Sequence, residues 1–152
     1  MVRSYSLPNP ISTSIISVVL CLAPLGCGRK GDPIPHTRTA PAACSAQWIS
    51  TRVLEVRLPA TDAQGSHLVG LEKVRIYYLP LGYSRPTGDE VVGRGQVVME
   101  RKRPDLPRPG KVLQMDLTQI GRAPGWLVAT AVRVGDVLGV PSEPLPWLDP
   151  NF

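Results

Sequence analysis

Aromatic side chains are scarce in this chain of 152 residues: one Phe, four Tyr and three Trp make up 5% of it. An interior with so few rings has to be filled by aliphatic side chains. Histidine occurs only as His36, in a proline-rich stretch, and His67, in a turn-rich one. An imidazole-activated nucleophile would therefore lack a well-placed base. The three cysteines, Cys21, Cys27 and Cys44, form no CxxC pair and have no HxxxH partner, which leaves no metal-ligand set. No apolar run reaches the roughly 18–20 residues that cross a bilayer as a helix.

Proline and glycine, by contrast, are plentiful, at 17 and 14 residues. Both interrupt helices and mark turns, so short elements with many connections fit better than a helical bundle. A hydrophobic share of 43% suffices for a core. The length allows one small domain. A formal charge of +5 and a pI near 9.4 favour anionic surfaces.

At the amino terminus a single charge, Arg3, precedes the apolar or small run Ile11–Leu25, and Gly26 and Cys27 follow. This order of charged, apolar and small-residue regions is that of a secretory signal. Pro24 interrupts the end of the run, a further argument against a permanent transmembrane helix. The pair Gly26-Cys27 resembles the lipobox of bacterial lipoproteins, in which a small residue precedes a cysteine that is lipidated and becomes the new amino terminus. Pro24 and Leu25 depart from the usual Leu and Ala or Ser of that pattern. Cys21 is excluded as acceptor because Leu20 precedes it.

The resemblance implies cleavage between Gly26 and Cys27, and a covalent diacylglycerol and N-acyl lipid on Cys27 in place of any other cofactor. Each buried methylene contributes about 0.8 kcal/mol, so three acyl chains anchor stably. The segment Cys27-Gly-Arg-Lys-Gly-Asp-Pro-Ile-Pro35 resembles the CGxKGxP start of small Gram-negative lipoproteins. That likeness implies placement at the outer membrane, facing the periplasm. Arg29 and Lys30 then either meet anionic headgroups, at up to about 1 kcal/mol each, or are solvated linker charges. Gly31–Ala43 holds three prolines without apolar periodicity and reads as an extended spacer.

Beyond Ala43 the pattern turns to period two. Leu54, Val56 and Leu58 alternate with Glu55 and Arg57; Val74, Ile76 and Tyr78 with Arg75 and Tyr77; Leu113, Met115 and Leu117 with Gln114 and Asp116. Each set puts one apolar face inward on an antiparallel strand. With 44–50, 92–99, 126–133 and 140–147 this predicts about seven strands, in a β-sandwich or a small barrel. Loops fall at 59–65, 80–88 and 103–110, and Gly93-Arg94-Gly95 reads as a bend within a hairpin.

The order of these runs resembles a fibronectin type III domain, on Leu54–Pro59 as strand B, Gly70-Leu71 and Val74–Tyr78 as strand C, Ile120–Trp126 as the E–F corner, Ala129–Val132 as strand F, and Gly135, Gly139 and Pro141-Ser142 leading into strand G. The resemblance implies a single seven-stranded fibronectin type III or immunoglobulin-like sandwich over 44–148, after a signal peptide (1–26) and a lipidated tether (27–43), with a tail at 149–152. The usual strand-B Trp is Leu58 here, and Trp48 is expected to fill that volume. The usual corner Tyr is Trp126, whose indole N–H is expected to donate to a backbone carbonyl.

No catalytic residue is expected. Asp62, Asp89 and Glu90 are isolated acids, and Cys44 is expected to be a buried small hydrophobe, with an intermolecular disulfide as the alternative. Arg101, Lys102 and Arg103, followed by Arg108 and Lys111, are the densest basic region. They either meet lipid phosphate or an acidic partner or form a solvated loop. Nucleic acid is not an expected partner, because basic residues lack interleaved aromatics. Three functions fit: a non-catalytic binding or scaffolding module of the cell envelope; an accessory to assembly of an outer-membrane complex through the lipidated terminus; and a module binding envelope glycan.

Overall fold

The computed structural model describes residues 39–82, 84–120 and 123–148. The expected signal peptide, Cys27 and the expected tether up to residue 38 lie outside the described residues, as does the expected tail at 149–152. The strands are β1 (Ser45–Trp48), β2 (Val53–Arg57), β3 (Leu71–Pro80), β4 (Gln96–Lys102), β5 (Val112–Asp116), β6 (Gly125–Arg133), β7 (Val137–Leu138) and β8 (Leu145–Trp147), with one short helix, α1 (Gly88–Arg94).

They form two antiparallel sheets, β1-β2-β5 and β4-β3-β6-β7, with β8 also paired to β6. The result is an all-β sandwich. Its core follows the period-two pattern: Leu54, Val56 and Leu58 from one sheet meet Val74, Ile76 and Tyr78 from the other, with Met115 and Leu117, and all are buried. Removing such aliphatic side chains from water contributes about 1.5–3 kcal/mol each.

Two predicted strands are placed differently. The strand expected at 92–99 begins only at Gln96, because residues 88–94 are helical. A capping box starts that helix: Thr87 Oγ1 accepts from Glu90 N at 3.2 Å while Glu90 accepts from Thr87 N at 2.7 Å. The helix is held because Val91 is fully buried against Tyr77 and Val128 on the outer face of the larger sheet. Gly93-Arg94-Gly95 therefore ends a helix rather than bending a hairpin. Gly95 is needed for space: a Cβ there would lie 2.4 Å from Val91 O and 2.6 Å from Tyr78 O.

Of the strand expected at 140–147 only β8 (Leu145–Trp147) forms, and a separate two-residue strand, β7 (Val137–Leu138), stands before it, so eight strand segments are described where seven are predicted. Pro141 and Pro144 bring no N–H to the ladder between them. Across the gap Ser142 takes over: its N–H donates to Ala129 O at 2.9 Å and its hydroxyl accepts from Ala129 N at 3.0 Å. Gly139 N bonds Ala131 O, so three steps along the last strand match two along β6, as in a β-bulge.

Candidate functional site

Three loops close one end of the sandwich: 58–70 between β2 and β3, 103–111 between β4 and β5, and 134–136 between β6 and β7. They are stitched together by backbone bonds, from Val134 N to Gly70 O at 2.8 Å, Arg103 N to Glu72 O at 3.1 Å and Gly110 N to Leu58 O at 3.1 Å. Residues 108–111 make a tight turn, with Lys111 N donating to Arg108 O at 3.1 Å and Pro109-Gly110 at its centre. Gly110 has φ 80°, the left-handed value that a type II turn requires after its proline.

The chain joins the sandwich at this same end. Ala63 N donates to Ala40 O at 2.8 Å, Val140 N to Pro41 O at 2.9 Å and Arg133 Nη1 to Thr39 O at 3.3 Å. Asp62, buried here, accepts through Oδ1 from the N–H groups of Gln64 and Ser66 and shapes the loop. His67 is exposed on the same loop.

Charge on the outer face of the larger sheet is internally matched. Lys73 Nζ lies 2.8 Å from Asp136, Arg75 lies 2.7 Å from Glu100 and 3.3 Å from Asp136, and Lys102 lies 3.0 Å from Glu100. The hydrogen bond from Lys73 holds the Asp136 carboxyl below the usual range, and that from Arg75 does the same for Glu100. Arg101, Arg103, Arg108 and Lys111 are exposed and enter no ion pair among the described residues, and Arg57, at the nearby end of β2, is in the same state. The predicted basic trio is thus divided: Lys102 is partly neutralised by Glu100, while Arg101 and Arg103 are left to solvent.

Exposed apolar residues accompany this basic rim. Val69 is 63% exposed and Val134 54%. The two tips adjoin, since Val134 is bonded to Gly70 and its Cγ2 lies 3.6 Å from where a Gly70 Cβ would stand. Sequence reading passed over these valines. Their signal was available: each is a β-branched residue placed directly before a loop glycine, where a polar turn residue is usual.

At the opposite end Trp48 and Trp147 pack with ring centroids 5.3 Å apart and planes tilted by 41°. Trp48 Nε1 donates to Pro146 O at 3.2 Å. Trp48 stands opposite Leu54 in the β1–β2 register, so it does not take the place beside Leu58 that was expected of it. With Ile49, Ser50, Thr51 and Leu148 the pair borders an open cleft of about 430 Å³. A second open cleft, about 490 Å³, runs along Leu79–Gly82, Glu90, Arg94 and Trp126.

Trp126 also differs from expectation. Its indole Nε1 is buried and makes no hydrogen bond among the described residues, and the Arg85 guanidinium stands 6.0 Å from the ring centroid. The corner is tied instead by Tyr78, whose hydroxyl donates toward Ala123 O at 3.0 Å and Pro124 O at 3.3 Å. Burial raises the Tyr78 pKa and keeps that donor protonated.

Gly26, Cys27, Arg29, Lys30 and His36 lie outside the described residues. Cys44 is buried, free of disulfide, and its thiol is pushed up to about 12 by burial. Among the described residues no three His, Cys, Asp or Glu side chains group to hold a metal ion, and no helix is long and apolar enough to cross a membrane.

No protein-family profile matches the chain, and no curated protein matches it. Among solved structures it is similar to titin kinase and its flanking domains, at 11% identity and a TM-score of 0.40, over 74% of this chain and 18% of that one.

Proposed function

We propose that the chain is a lipoprotein of the bacterial envelope, anchored to the outer membrane through Cys27 and facing the periplasm, whose sandwich is a non-catalytic binding or scaffolding module. The observation that carries the reading is the sequence Ile11–Leu25 followed by Gly26-Cys27 and the CGxKGxP start, a pattern that combines export with acylation.

The domain is of the fibronectin type III kind. Strand order supports this: with β1, β2, β3, β4, β5 and β6 as A, B, C, C′, E and F, and β7 and β8 as two parts of one interrupted G, the sheets are A-B-E and C′-C-F-G. Such a fold presents loops and strand edges, and it leaves the ligand to be decided by surface chemistry.

The test is fractionation and crosslinking of the wild type beside Cys27→Ser. The wild type is expected in the membrane fraction with acyl mass on Cys27 and a crosslinked envelope partner. The variant is expected to lose both the acyl mass and the membrane association. An unacylated wild type found with the soluble proteins overturns the anchor. Retention on isolated peptidoglycan in place of a protein crosslink would move the reading to glycan binding.

A further inference from the structure

From the loop end of the sandwich we infer a second, reversible membrane contact: this end is a docking face for an anionic phospholipid bilayer, and it orients the domain with the Trp48–Trp147 end pointing away. The inference rests on the proposed anchor at Cys27 for its geometry, and on the described residues for its chemistry. Three independent features coincide there. Val69 and Val134 stand out from adjoining loop tips, more than half exposed. Arg103, Arg108 and Lys111 lie on the 103–111 loop at this same end, and Arg101 on the strand leading into it, with no carboxylate paired to any of them among the described residues. The chain itself departs from this end, through Thr39 and Pro41.

An apolar tip beside a cationic loop is an arrangement that lies in a headgroup layer: valines reach the acyl boundary while guanidinium groups grip phosphate. The opposing charges at this end do not cancel the rim. Asp136 is taken up by Lys73 and Arg75, and Asp62 by backbone N–H groups, which leaves Glu72 and the exposed Asp105. Reach is also met. The residues from Cys27 to Thr39 extend at most about 40 Å, so a lipid on Cys27 keeps this end close to the bilayer and raises its effective concentration there. A bilayer offers an apolar interior and anionic phosphate together, and the entry of the chain at this end places it there, whereas a protein partner would need its own apolar and acidic groups in matching positions.

The full chain, purified from membranes and reconstituted into vesicles, is labelled with a nitroxide at Val69→Cys or, at the far end, Thr51→Cys; buried Cys44 does not label. On phosphatidylglycerol-containing vesicles the label at 69 is expected to lose accessibility to a water-soluble nickel relaxant by at least about tenfold, while the label at 51 stays exposed. Pure phosphatidylcholine vesicles, high salt, or the combined substitution R101E/R103E/R108E/K111E are each expected to restore exposure at 69. Because those four side chains are exposed and unpaired, circular dichroism should be unchanged by the substitution. Equal accessibility at 69 on both lipids, or shielding at 51 in its place, overturns the docking face, and an acidic protein as the true target would give the first of these results. The anchor is scored separately, by intact mass at Cys27. If no acyl group is present, the same labels in a Cys21→Ser/Cys27→Ser background, mixed with the same vesicles, still decide the docking.

Discussion

Cys44 shows how far a single residue can be read from its surroundings. Its thiol is buried to 4% exposure in the main core, and burial raises its pKa from 9.0 to about 12. A raised acid pKa means that the folded state favours the protonated form. Stability from this group is full below pH 9 and falls as pH rises toward 12, because the unfolded chain ionises first. Two results are expected. The native protein resists thiol reagents at pH 8 and reacts after unfolding in guanidinium. The loss of stability between pH 9 and 11, followed by denaturant melts, is shallower in Cys44→Ala than in the wild type. Tyr78 and Trp126 teach the opposite lesson at the same scale. The segment Ile120–Trp126 leads into β6 as the sequence suggests, but which ring ties it could not be read there. That depends on β3 and β6 lying side by side, with Tyr78 opposite Leu127 and its hydroxyl reaching Ala123 and Pro124.

Among the elements, α1 is the one most open to experiment. Its capping box satisfies two N–H groups at the start of a helix of only seven residues, which is too short to persist without help from caps and packing. Thr87→Ala is expected to cost about 1 kcal/mol in chemical unfolding and to loosen the amides of residues 88–94 in hydrogen exchange while leaving β2 and β5 protected. The bonds from Thr87 lower the Glu90 pKa, so this contribution is present above the ordinary carboxylate range and is lost as pH falls through the shifted value. In sequence the signal was Thr87-Gly-Asp-Glu90 before Val91-Val92, a capping box overlooked because the valines and glycines after it suit a hairpin as well. Only the outer-face contact of Val91 with Tyr77 and Val128 decides for the helix. The last strand is a similar case. Its prolines were visible, but the substitution of the Ser142 hydroxyl for a ladder bond requires Ala129 to stand across from it.

For the whole molecule, the two ends of the sandwich differ in chemistry, one carrying cations that are unpaired among the described residues and the other closed by two tryptophans. Trp147, 4% exposed, joins the final strand to the main core, packs on Trp48 and follows the Pro146 carbonyl that accepts the Trp48 indole N–H. Trp147→Ala is expected to cost about 3–5 kcal/mol, a large part of the roughly 5–15 kcal/mol that a domain has in total. A lowered denaturant midpoint and a red-shifted emission from Trp48 would register it. An unchanged midpoint would mean that β8 is dispensable and that the core closes without its last strand.

Local pattern was enough for the inward faces of β2, β3 and β5, since side chains alternate along any strand and burial selects the apolar set. It was enough as well for the loop at 103–110, whose prolines and Gly110 preset turn dihedrals, although the tight turn at Pro109-Gly110 itself is read from the structure. What the tertiary structure alone decided are the facts that join distant segments. These are the helix folded onto Tyr77, the tyrosine that ties the corner, the neutralisation of Lys102 but not Arg103, and the meeting of Val69, Val134, the basic loop and Thr39 at one end. Each depends on which strands become neighbours, and that is settled by how two sheets share one core rather than by any residue's own neighbours in the chain.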